Sequence, residues 1–374
     1  MRGLQILFWL AAAVLVYTFL GYPLLIAALA RWLKRPVDRS PILPRMTLLI
    51  PAYNEAEVIA RKIENALALD YPADRLEIVV ITDGSDDETP DVVRRYAAEG
   101  VRLYHQPPRR GKMAAINRVM PLVEGEVVVM SDANAMINGD ALRAIARNFA
   151  DPEVGGVAGE KRVLGGGEGF YWRYESFLKR CDSAVSSLMG APGELFAIRR
   201  RLFEPPPADT LLDDFIMSLR LVERGWRVVY EPEAVAVEEP SPSLKGDWQR
   251  RSRNAAGGFQ AMARLTGLLD PRKGLVAWQY VSHRVLRWAV TPFLLPVLYG
   301  LNLSLAHLPL YRVTLAAQSA FYAVALMGYV LERASVRCGP CQAVFYYCLA
   351  NAAIAAGFWR YVTGSQPVTW AKAR

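Results

Sequence analysis

Two kinds of hydrophobic pattern divide the chain. Residues 4–30, LQILFWLAAAVLVYTFLGYPLLIAALA, carry no charged side chain. About 20 consecutive apolar residues suffice to cross a bilayer, so this stretch predicts a membrane anchor. A cleaved signal peptide would have a shorter apolar region ending in small residues, whereas this one runs straight into RWLKRPVDR. From Leu286 onward three further apolar stretches, about 286–306, 311–331 and 341–360, predict three more spans. The rival reading, buried helices of a large soluble core, fits their length and repetition poorly.

Between these regions the apolar runs are short and alternate with helical periodicity. Strands are predicted at MTLLI (46–50), LEIVVIT (76–82), VRLYHQ (101–106) and EVVVMSD (126–132). Helices are predicted at 55–69, where Ile59, Ile63, Ala66 and Leu67 share one face, at 88–100 with Pro90 in the first turn and Gly100 as the stop, and at 112–123. The rhythm predicts an α/β fold with a doubly wound, mostly parallel sheet. Three regions follow: an anchor over 1–35, a soluble domain over 40–270, and an interfacial helix plus about three spans over 271–374.

The formal net charge of +8 changes this picture little. Arg31, Lys34, Arg35, Arg39, Arg272, Lys273, Arg284 and Arg287 flank the spans, as cytoplasmic loops do. The domain is therefore expected on the cytoplasmic side of a plasma membrane, with membrane lipid and no nucleic acid as its partner. Three rear spans would put Lys372 and Arg374 on the far side, in conflict with the same rule. CGPC at Cys338–Cys341 has the spelling of a redox motif, but it falls between apolar spans, without the strand-to-helix setting that activates a thiol. It reads as a Gly-Pro turn. His105 and His283 lack metal-ligand spacing.

Polar residues gather where the predicted parallel strands end. PAYNE (51–55), TDGSDD (82–87), PPRRGK (107–112) and SDAN (131–134) follow the four strands in turn. Each alone is ordinary turn chemistry; four on one edge are better evidence, because open sheets bind ligands there. Carboxylates beside Arg109, Arg110 and Lys112 suit a divalent cation with a diphosphate: hard oxygens hold the ion and cations hold phosphate oxygens. Further on, Phe170, Tyr171, Tyr174, Phe177 and Leu178 form an aromatic stripe that suits an interfacial helix, an acceptor tunnel or a core.

These motifs in this order resemble the nucleotide-diphospho-sugar-binding domain (Rossmann-like, glycosyltransferase type A) of the inverting family-2 glycosyltransferases, the membrane enzymes related to cellulose, chitin, hyaluronan and poly-N-acetylglucosamine synthases. LLIPAYNEAEVIARKIENALALDYP, IVVITDGSDDET, GKMAAINRVM, LLDDFIMSLRLVERGWRVVYEPEAV and DWQRRSRNAAGG carry the likeness, with VSHRVLRW resembling the family's membrane-border segment and the final VTW its terminal segment. The resemblance implies a donor site of Tyr53, Glu55, Asp83, Lys112 and Asp132, with Arg250 and Arg253 on the diphosphate. It implies Mg²⁺ or Mn²⁺ at Asp132, Asp214 as general base, and Gly193, Glu194 and Asp213 on the acceptor side. Asn134 stands where a second metal-binding acid is usual; its amide oxygen can still coordinate, without charge. Adjacent acids such as Asp213 and Asp214 raise one another's pKa, although acids also favour a helix N-terminus for structural reasons alone. The Gln-x-x-Arg-Trp element is imperfect: Asn254 follows Arg253 where an aromatic ring would stack on an acceptor sugar.

The implied activity is inverting transfer from a nucleotide-diphosphate sugar, a UDP-sugar in the first instance, to a glycan or lipid-linked hydroxyl. Two alternatives stand beside it: transfer of a single sugar to a lipid carrier, and a silent nucleotide-sugar-binding scaffold. Accessory subunits are an open slot that no motif fills.

Overall fold

The computed structural model describes residues 1–164, 169–239, 243–334, 336 and 338–369. The first strand, β1 (Met46–Ala52), is apolar because both its faces are covered. It pairs in parallel with β2 (Leu76–Asp83) on one side and β4 (Val127–Met130) on the other, and β3 (Val101–Gln106) adds to β2, also in parallel. Register aligns Ala52 with Thr82 and Asp83 with Gln106, so the carboxyl ends of these strands form one edge.

The expected parallel sheet holds for those four strands and fails beyond them. The full sheet has eight strands in the order β3-β2-β1-β4-β7-β6-β8-β5. β7 (Phe196–Arg199) runs antiparallel to both β4 and β6 (Val154–Val163), β8 (Arg227–Glu238) is parallel to β6, and β5 (Met136–Ile137) is antiparallel to β8. The physical reason is the chain's path: β6 leads through the helix at 169–185 into β7, its antiparallel neighbour, and an antiparallel pair needs no crossover behind the sheet. The carboxyl end of β4 therefore faces a cleft rather than another crossover.

One sheet face packs on α2 (Ala56–Leu67) through Ile59, Ile63 and Ala66; the other packs on α4 (Lys112–Val119), α7 (Asp213–Glu223) and α8 (Leu244–Arg264). Helix α3 shortens to Thr89–Arg94, and α4 ends at Val119, two residues before Pro121, which has no N–H to continue the helical hydrogen bonds. Between α4 and α7 in sequence lie α5 (Ala141–Ala146) and α6 (Gly169–Val185).

Four helices among the described residues are long and apolar enough to cross a membrane: α1 (Arg2–Trp32), α9 (Leu275–Ser304), α10 (Pro309–Arg333) and α11 (Gly339–Val362). The Met1 end of α1 meets the α9–α10 connection, where Trp9 bonds Tyr311 at 3.1 Å and Phe8 packs on its ring. The other end of α1 meets the domain, where the Arg35 N–H donates to the Ala184 carbonyl. Helix α10 thus returns toward the domain, and α11 then runs along α8. Tyr346 lies under Arg251, Gly357 fits against Ser252 and Ala255, and Phe358 meets Phe259 edge-on. Cys338 is the residue before α11 and Pro340 lies in its first turn, so the expected Gly-Pro turn is corrected to a helix start, where proline's missing N–H costs nothing. In the aromatic stripe on α6, Leu178 is buried against α1 and Phe177 is exposed; Phe170 and Tyr171 have side chains outside the described residues.

Candidate active site

A cleft of about 780 Å³ opens at the carboxyl edge. Tyr53, Glu55, Asp83, Lys112, Asp132, Asn134, Gly193, Glu194, Asp213, Asp214, Arg250 and Arg253 all line it. The sequence thus placed its candidates on one surface, although they lie on seven separate segments.

The loop after β1 is locked to the loop after β2. Asn54 adopts a positive φ of 53°, which asparagine tolerates better than most residues. It exchanges bonds with Asp86 (Nδ2 to Oδ1, 2.6 Å; Asp86 N–H to Oδ1, 3.1 Å), while the Glu55 N–H donates to Thr89 Oγ1 at 2.8 Å. Asp83, at the end of β2, accepts the Arg110 N–H at 2.9 Å and the Gly111 N–H at 2.6 Å. Its carboxylate thereby fixes the turn leading into Lys112. Gly111 has a φ of +99°, and an added Cβ there would come within 2.9 Å of Val368, so the segment after α11 packs on this turn. Trp370 of the terminal VTW lies outside the described residues. The Arg109 guanidinium sits 3.5 Å from the centre of the Tyr53 ring, a cation–π contact at the cleft wall.

Lys112 is the electrostatic centre. Its ammonium lies 2.8 Å from Asp132 and 3.0 Å from Asp213. Burial alone would lower its pKa, but Asp132, Asp213 and Asp214 outweigh that and raise it, so Lys112 stays charged. Asp214 is pushed up to about 8, first by burial, then by Asp213, with Lys112 opposing. Gly193 leaves room beside it: a Cβ there would sit 3.4 Å from the Asp214 carboxyl carbon. Burial lowers the Arg253 pKa to about 10, against the pull of Asp213, Asp132 and Asp214, which still leaves it a cation at neutral pH. Arg250 and Arg251 are both held by Asp247, at 3.0 and 2.7 Å.

Asn134 does not stand beside Asp132 as a second free ligand. Its amide donates to Glu238 Oε1 at 2.8 Å. Glu238 in turn accepts from Lys161 at 2.6 Å, and Lys161 also bonds Glu194. Among the described residues no group of three or more His, Cys, Asp or Glu side chains could hold a metal ion by itself. Asp132 still offers a hard carboxylate to the cleft, with 31% of its side chain exposed. This fits the way Mg²⁺ is usually held, by one or two carboxylates completed by substrate phosphates.

Several residues in or behind the cleft walls escaped sequence reasoning. Asp247 could have been found, since its spacing to Arg250 and Arg251 is that of helical neighbours. Lys161, Glu238 and Trp172 lie far apart in sequence without a motif. Trp288 and Arg284, from α9, complete the wall beyond Asp214: Trp288 stacks on Phe215 with ring centres 5.3 Å apart, and Arg284 lies 5.5 Å from the Phe215 ring. Ala350 and Ile354 of α11 extend the same wall in apolar form. Lys62 hides among the apolar positions of α2 and donates to Ser131 Oγ at 2.7 Å and to the Ala135 carbonyl, bracing the loop that carries Asp132 and Asn134.

Comparison with known proteins fits this geometry. The glycosyltransferase-like family 2 profile matches residues 44–257. The chain is 29% identical over 234 residues to a beta-monoglucosyldiacylglycerol synthase of Trichormus variabilis, covering 58% of this chain and 50% of that one. It is 29% identical over 245 residues to a poly-beta-1,6-N-acetyl-D-glucosamine synthase of Staphylococcus aureus, covering 62% and 58%. It spans about half the length of the curated relatives it matches. Among solved structures, a mannosyltransferase from Pyrobaculum calidifontis in complex with GDP-Man and Mn²⁺ superposes with a TM-score of 0.75 at 29% identity, over 95% of this chain and 99% of that one. The mixed sheet is accordingly the glycosyltransferase type A fold. With more than half of its length matched by the family profile, the chain belongs to glycosyltransferase family 2, enzymes that transfer a sugar from a nucleotide donor.

Proposed function

We propose that the protein is a membrane-bound inverting glycosyltransferase that moves a sugar from a nucleotide-diphosphate donor to the hydroxyl of a lipid-linked acceptor. The observation that carries this reading is the position of Asp214. Its carboxyl, with a pKa near 8, lies between the Lys112–Asp132 end of the cleft and a wall supplied by α9 and α11. A base so tuned suits proton abstraction near neutral pH, and an apolar wall suits an acceptor that arrives from lipid.

The donor nucleotide lies along Tyr53, Glu55 and Asp83, with its diphosphate toward Lys112, Arg250 and Arg253. Asp132, together with the donor phosphates, would hold Mg²⁺ or Mn²⁺, which would supply charge stabilisation to the departing nucleoside diphosphate. Lys112 and Arg253 add fixed positive charge at the same end. Asp214 takes the proton of the acceptor hydroxyl, and Asp213 holds Lys112 in place. Gly193 and Glu194 border the acceptor. Attack on the face opposite the diphosphate inverts the anomeric configuration. The relatives' substrates, among them GDP-Man and the product classes named above, widen the donor panel beyond the UDP-sugars expected from sequence.

Residues 1–35 anchor a cytoplasmic domain of about 40–270, and 271–374 form the rear assembly. Its α9 leaves the domain and α10 returns; α11 lies on α8 instead of crossing. Two rear crossings in place of three bring Val368, beyond α11, to the domain side, where it meets Gly111. The absence of an aromatic residue at Asn254 favours transfer of a single sugar over chain elongation.

The test uses membranes holding the full chain, a divalent ion, a panel of UDP- and GDP-sugars, and extracted lipid acceptors, with nucleoside diphosphate release as readout. One donor is expected to turn over, and Asp214→Asn to lower the rate by about 10²–10⁴-fold, the usual contribution of a positioned general base, while donor binding persists. Unchanged turnover in that variant would remove Asp214 from its role.

A further inference from the structure

Asn134 occupies a position where its neighbourhood has no room for a second acid, and that neighbourhood is a single chain of contacts. Glu238 closes β8 and presents both carboxylate oxygens inward: Oε1 takes the Asn134 amide at 2.8 Å and Oε2 takes Lys161 at 2.6 Å. Lys161, on β6 with 5% of its side chain exposed, is shared with Glu194, itself 13% exposed. The Glu194 backbone carbonyl accepts from Ser131 Oγ at 2.9 Å, and Ser131 lies beside Asp132. Gly193, the residue before Glu194, packs toward Asp214. Two buried carboxylates already share one ammonium. A third carboxylate at position 134 would face Glu238 at hydrogen-bonding distance with no proton between them, an arrangement that like charges make unfavourable.

The chemistry also fixes which way the amide points. An ionised carboxylate only accepts, so the NH₂ of Asn134 must face Glu238 and its carbonyl oxygen must face away. From this we infer that Asn134 and Glu238 form a matched pair: Glu238, held by Lys161, is a positioning residue that orients the Asn134 amide oxygen for the donor, and Asp132 alone supplies anionic charge to the metal. The pair replaces an acid–metal contact by a neutral dipole set from behind. This inference rests on the donor-site reading above.

The experiment is a double-mutant cycle on the full chain with Asn134→Asp, Glu238→Gln and both together. The double variant has the same net charge as the wild type and reverses the pair. The amide introduced at position 238 can donate to the carboxylate introduced at position 134, while its oxygen still accepts from Lys161. Three quantities are read: the thermal midpoint of the metal-free protein, nucleoside diphosphate binding with and without Mn²⁺, and the Mn²⁺ concentration giving half-maximal turnover. Asn134→Asp alone is expected to lower the midpoint and to weaken nucleoside diphosphate binding at least tenfold, despite restoring the family's usual acid. The double variant is expected to recover the midpoint and to bind within about threefold of wild type.

The inference is overturned if Asn134→Asp binds Mn²⁺ and nucleotide as well as or better than wild type, or if the double variant is no better than the single one. A coupling seen in the midpoint but absent from nucleotide binding and from Mn²⁺ dependence would also overturn it, since the pair would then only support the fold. Failure of the transferase reading would show differently, as a wild-type protein that releases no nucleoside diphosphate from any donor.

Discussion

Two buried ionisable side chains govern the expected response to pH. Asp214, raised to about 8 mainly by burial and by Asp213, must lose its proton to act as a base. Because kcat/KM reports the free enzyme, it should rise about tenfold per pH unit below 8 and level off above; a flat profile between pH 6 and 8 would remove the base assignment. Lys62 behaves in the opposite sense. Burial lowers its pKa from 10.5 to about 7, with Asp132 opposing. Between those values the unfolded chain binds the extra proton, so stability should rise with pH across that window and the cost is full below it. Lys62→Met should flatten this slope in denaturant midpoints taken at pH 7 and 9.5. Asp83 and Asp132 were legible in the sequence because each ends an apolar strand, and Asp214 through the likeness of LLDDFIMSLRLVERGW to the family's motif. Lys62 was not: at a core-facing helical position it looks like an interruption of the stripe, and only the loop folded over it supplies its partners.

Among the elements, the four N-terminal strands and their helices were readable from periodicity, since their run lengths and glycine or proline stops are local signals. Strands β5 to β8 were not. The two residues of β5 are too few for a pattern, and β7 is fixed by partners distant in sequence. The α8–α9 packing was equally hidden. Gly258 on α8 gives Trp288 its place, and an added Cβ would fall 1.7 Å from the indole ring. Gly258→Ala should therefore displace Trp288, lower stability by about 1–3 kcal/mol as overpacking does, and reduce kcat. Circular-dichroism melts and nucleoside diphosphate release measured together would check both effects; an unchanged melt would show that Trp288 is not confined there.

At the scale of the whole molecule, hydropathy gives four candidate crossings, and the proposed reading has three. Helix α11 has a membrane-like composition, yet its Gly357 and Phe358 rest on α8, and Val368 beyond it reaches Gly111 beside Lys112. A side-specific labelling experiment with a single cysteine introduced at Ser365 in a cysteine-free background should report the same side of the membrane as one at Glu99. Opposite sides would restore the fourth crossing. The cleft wall built by Ala350 and Ile354 then has a kinetic consequence. On the proposed reading the spent nucleotide departs into water while the glycosylated molecule diffuses away sideways in the leaflet. The quantity that saturates the enzyme on the acceptor side is thus mole fraction in the bilayer, so diluting the acceptor with inert lipid slows turnover even when its amount per millilitre is held constant.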